Sequence, residues 1–116
     1  MPEVAEIERR RLAAWTVAGE AFVWERPLRA DDLEALGPAA PSGAVLAAYV
    51  ADLDVKEGRL MEDPRVLFTT PHFHGLRAVL VRLDVIGVPE LGEVLRDAWL
   101  ARAPQRLVKA YRSALL

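Results

Sequence analysis

A chain of 116 residues that is 53% hydrophobic, 28% charged and carries a net charge of −2 is too apolar for disorder, too evenly charged for a membrane span, and sized for one domain over residues 1–116. Cysteine is absent, which excludes disulfides, thiolate metal sites and a cysteine nucleophile. No run reaches the ~18 consecutive apolar residues of a spanning helix, and the charged stretch from Met1 to Arg11 lacks a signal-peptide core, so the expected compartment is the cytoplasm, with no membrane contact.

Trp15-Thr16-Val17 and Phe22-Val23-Trp24 flank Ala18-Gly19-Glu20 and read as a β-hairpin. Strict alternation puts Trp15 and Val17 on one face of the first strand, and Phe22 and Trp24 on one face of the second. Arg26-Pro27 ends that strand. Asp31-Asp32-Leu33-Glu34 opens a short helix, an aspartate cap answered by glutamate three residues on, and Gly37-Pro38 closes it. After a loop from Pro38 to Gly43, the small apolar run from Ala44 to Val50 reads as a buried strand. Asp54-Val55-Lys56-Glu57 repeats the capping pattern and opens a helix that ends at Pro64.

Val66-Leu67-Phe68 and Val79-Leu80-Val81-Arg82-Leu83 are two further strands around a loop from Thr69 to Arg77. Leu91, Val94, Leu95, Ala98 and Trp99 then recur at helical spacing, with Pro89 in the first turn, where its missing N–H is tolerated. Pro104 ends this helix and starts another, whose apolar positions are Leu107, Val108, Tyr111 and Leu115. The fold class is α+β: an antiparallel sheet of about five strands with helices on one face, ending in two C-terminal helices.

Phe68-Thr69-Thr70-Pro71-His72-Phe73-His74-Gly75, followed by Ala78 to Leu83, resembles the signature of the YjbR/MmcQ family. The stretch from Asp97 to Leu107 is similar to that family's C-terminal motif, and Phe22 to Leu28 to its early hairpin. The resemblance implies a frataxin-like α+β fold and a DNA-binding role through a "double wing" of hairpins, with no enzymatic activity. The sequence departs from the family at His74, where aspartate is usual, at Leu76-Arg77 in place of Tyr-Pro, and at Gln105 in place of lysine. The family's helix ahead of the Pro-Glu-Val segment is also expected to be lacking, since the sequence opens Met1-Pro2-Glu3-Val4.

Charge is unevenly placed. Residues 1–70 hold 8 Lys+Arg against 13 Asp+Glu, and residues 71–116 hold 7 against 4. A basic surface is therefore expected in the C-terminal half, where Arg102, Arg106, Lys109 and Arg112 fall at helical spacing. They form either a stripe that contacts nucleic-acid phosphates or the solvated face of an amphipathic helix. Thr69, Thr70, His72 and Arg77 could hold a small anionic ligand at the loop, or simply end a strand and bond the loop backbone.

His72 and His74 are two ligands where zinc needs three or four, so they are read as shaping the loop; no metal site and no cofactor is expected. Trp15, Phe22, Trp24, Phe68 and Trp99 sit at apolar positions and read as core. There is no Asn, one Gln, and no nucleophile in a catalytic motif, so the expectation is a non-enzymatic binding module. DNA held by its phosphates is the first partner, and a protein partner or a second copy of the chain is the alternative.

Overall fold

Strand alternation and tight turns build the sheet. The computed structural model describes residues 1–116. Its strands are β1 (Val4–Arg9), β2 (Leu12–Val17), β3 (Glu20–Glu25), β4 (Val45–Tyr49), β5 (Leu67–Phe68) and β6 (Ala78–Arg82). All pair antiparallel in the order β1-β2-β3-β4-β6-β5. The helices are α1 (Ala30–Leu36), α2 (Leu53–Glu62), α3 (Val88–Arg102) and α4 (Gln105–Ala114).

The α+β class and the two C-terminal helices are as the sequence predicts, with one strand more. That strand, β1, lies at the sheet edge, and all but one of its residues are exposed. An edge strand can be charged on both faces, which is why VAEIER carries no alternation signal.

Two-residue turns join the first three strands, and such turns favour positive φ. Ala18 and Gly19 adopt it at 49° and 84°. The β1–β2 turn places two arginines there, Arg10 at 51° and Arg11 at 69°. Each L residue held left-handed costs roughly 1–2 kcal/mol.

One correction concerns β3. Its register with β2 steps from Trp15↔Val23 to Thr16↔Ala21, so Phe22 is an extra residue, a β-bulge. Phe22 and Val23 both enter the cluster beneath the long helices, and Trp24 turns to the opposite face. Alternation had put Phe22 and Trp24 together.

The sheet is covered on both sides at its centre, so β4 and β6 are almost wholly buried and read as continuous apolar runs. On one side α3 and α4 pack Val94, Ala98, Trp99, Leu107 and Val108 onto Val23, Ala48, Val79 and Val81. Trp99 is fully buried, and its Nε1 donates to the Pro2 carbonyl at 3.1 Å, tying the start of the chain to α3. Leu115, expected on the apolar stripe of α4, is exposed beyond the end of that helix. On the other side Val45, Ala47, Phe68, Ala78 and Leu80 meet Phe73 from the 69–77 loop and Leu36 from α1.

The helix caps also differ from expectation by two residues. α1 is capped at Arg29, whose backbone N–H donates to the Asp32 carboxylate at 2.9 Å. α2 is capped by Asp52, whose carboxylate accepts from Val55 N at 2.8 Å. An aspartate one turn inside the apolar pattern competes with one at its edge, and spacing alone does not choose between them.

Candidate functional site

The four cations of the C-terminal helices do not form one open stripe. Arg102, at the end of α3, turns toward the β2–β3 turn, donates to Glu20 Oε2 at 3.0 Å, and lies over the Tyr49 ring at 4.5 Å. Arg106 makes a two-pronged pair with Glu3 at 2.8 and 3.2 Å. Through that pair the Glu3 carboxyl is held below its ordinary range and the Arg106 guanidinium above its own. Lys109 and Arg112 are exposed and make no ion pair. Arg112 borders a hollow of about 280 Å³ with Arg59 and Asp97, which pair with each other.

Nor does the 69–77 loop gather its four candidates around one point. Thr69 and Thr70 line a shallow hollow with His74. His72 faces a different groove, and Arg77 lies over Tyr49 at 5.4 Å. Thr70 is buried. Pro71–Phe73 is a 3-10 turn within the loop. Neither imidazole is hydrogen-bonded to a serine, threonine or carboxylate. No three His, Cys, Asp or Glu residues are grouped so that they could hold a metal ion.

What holds this loop is a buried polar framework that the sequence did not reveal. Lys56, buried on α2, donates to the Phe73 carbonyl and to the Leu76 carbonyl at 2.8 Å. Burial pushes its ammonium pKa down. Asp32 and Arg26, both buried, pair at 3.1 Å, and the Arg26 guanidinium lies 5.2 Å over the Phe73 ring. Burial drives the Asp32 carboxyl up, but the Arg29 amide and the Arg26 charge outweigh it and hold the group below its usual range. Buried ions without such partners would be several kcal/mol worse. The framework fixes the loop as a wall.

That wall, with β2 and β3, borders a groove of about 650 Å³ on the Trp24 face of the sheet, which Arg102 at the end of α3 also reaches. Small residues, Ala14 and Ala21, line it beside half-buried Trp24. The bulge at Phe22 is what points Trp24 here, a recurrent use of bulges near functional sites. Phe73, His72 and Leu76 form one side.

Five arginines line this groove: Arg9 and Arg10 at the strained hairpin tip, Arg26, Arg29 at the α1 cap, and Arg102. Glu25 is the one acidic lining residue. Arg26 and Arg102 are ion-paired, whereas Arg9, Arg10 and Arg29 have no carboxylate within salt-bridge reach. Four of the five arginines lie in the half of the chain with net negative charge. Sequence reasoning missed them because they are scattered over 21 residues of chain, Arg9 to Arg29, and meet only through the β1–β2–β3 meander.

The architecture and the groove define an antiparallel α+β protein with an arginine-lined cleft on the Trp24 face of its sheet. The chain belongs to the same family as Uncharacterized protein Rv2570 of Mycobacterium tuberculosis (strain ATCC 25618 / H37Rv) and Uncharacterized protein Mb2600 of Mycobacterium bovis (strain ATCC BAA-935 / AF2122/97). Each is 47% identical over 100 residues, which span 84% of this chain and 78% of the relative. No protein-family model and no solved structure matches the chain.

Proposed function

We propose that the protein is a non-enzymatic, YjbR/MmcQ-like module that binds nucleic acid by its phosphates. The single observation that carries this reading is the set of unpaired guanidinium groups, Arg9, Arg10 and Arg29, converging on one groove of a protein with net charge −2. Clustered arginines suit phosphate better than lysines do, since the planar fork of a guanidinium can grip two oxygens at once. The strained Arg10-Arg11 turn supports the same reading, because residues held in costly backbone conformations concentrate at functional sites.

The candidate surface thus moves from α4 to the Trp24 face of the sheet. On α4, Arg106 is already satisfied by Glu3, and a phosphate there would have to displace a carboxylate.

The test is a fluorescence-anisotropy titration with labelled oligonucleotides at low salt. Wild-type protein is expected to bind at micromolar concentration, the range of non-specific phosphate contact. R10E combined with R29E should weaken that binding by at least tenfold, and K109E combined with R112E should leave it within twofold. Equal loss in both pairs, or loss only in the second, returns the surface to α4.

A further inference from the structure

The ligand class of the groove follows from its shape. Resting on the nucleic-acid reading above, we infer that the groove takes single-stranded nucleic acid and seats one unpaired base against Trp24.

Three observations converge on this. First, Trp24 is half-buried in a cleft of about 650 Å³ whose unpaired cations, Arg9, Arg10 and Arg29, are exposed, so a base meets Trp24 by entering between them. That volume is typical of small-ligand sites. A base paired in a duplex must first be unpaired and unstacked, at a cost of a few kcal/mol, whereas an unpaired base enters directly. Second, the residue paired with Trp24 on β2 is Ala14, and Ala21 also lines the groove, so the neighbours of the ring along β2 and β3 are small. Third, the chain has no Asn, and its lone Gln105 stands at the start of α4, outside the groove. Bidentate reading of adenine in a major groove is therefore out of reach here. Stacking needs no such side chains and tolerates any base, and a basic groove with an aromatic platform is the usual construction of single-strand binders.

The predicted experiment compares a twelve-nucleotide oligo-dT, a duplex of the same length and free thymidine monophosphate. The strand should bind at least tenfold more tightly than the duplex. W24L should weaken strand binding by roughly tenfold, within the span reported for loss of one stacked base, and W24F should restore most of it. Because Trp24 also packs against the core, wild-type protein provides an independent readout: photocrosslinking with bromodeoxyuridine-substituted oligonucleotide should label Trp24. Duplex binding equal to or tighter than strand binding, or crosslinks confined to other residues, would overturn the inference while leaving phosphate binding intact. Displacement of the oligonucleotide by micromolar thymidine monophosphate would also overturn it, in favour of a free nucleotide. Absence of all binding at low salt would instead remove the underlying functional reading.

Discussion

Asp32 shows how one buried carboxylate organises the groove from behind. It accepts from the Arg29 amide at the head of α1 and pairs with Arg26, which in turn lies on Phe73. Removing one member of a buried pair leaves the other charge uncompensated, so D32N should cost about 3 kcal/mol in urea unfolding at neutral pH. The pH dependence has a definite sign. The folded-state pKa is lowered, so the stabilisation is complete above the unfolded value of about 4 and is lost as pH falls through the lower folded value. The gap between wild type and D32N should therefore hold steady from pH 7 to about 5 and close in stronger acid. A gap that widened as pH fell would contradict the ion-pair account. This residue was visible in the sequence only as half of an Asp-Asp cap; its partner Arg26 was read as the end of a strand, because no local pattern announces a buried pair.

Among the elements, the β1–β2–β3 meander carries most of the proposed chemistry and was the least legible part of the sequence. The long helices α3 and α4 could be read from their apolar stripes, since burial on one face imposes a period. The edge strand β1 has no such face, and the bulge at Phe22 breaks the alternation on which any strand reading depends. The arginine turn offers a direct trial of the strain argument. Replacing Arg10-Arg11 with Asn-Gly, the pair that such turns prefer, should relieve roughly 1–2 kcal/mol. In a domain of this size that raises Tm by roughly 5 °C. The same variant should bind oligonucleotide more weakly, since one rim cation is lost. A variant that is stabilised and still binds fully would separate the turn's strain from its function.

At the scale of the whole molecule, net charge misleads. An acidic chain argues against a non-specific nucleic-acid binder, and the C-terminal excess of base drew the sequence reading toward α4. Folding redistributes that charge. Glu3 neutralises Arg106 on α4 and Glu20 neutralises Arg102, while Arg9, Arg10 and Arg29 line the groove with no carboxylate partner. A concave site with low-dielectric walls focuses the field of its charges, so a local cluster can act in a molecule that is negative overall. The fold class was readable because it rests on local periodicity. The groove was not, because it depends on which strands become neighbours.

The most direct measurement of this account is the salt dependence of single-strand binding, compared between wild type and a variant with Arg9, Arg10 and Arg29 all changed to Gln. If those three arginines each displace a counterion from phosphate, log K should fall with log salt at a slope of about −2 for the wild type. The triple variant should bind weakly, with a slope near zero. A wild-type slope that survives in the triple variant would mean that the phosphates are held elsewhere, and the groove would not be the site.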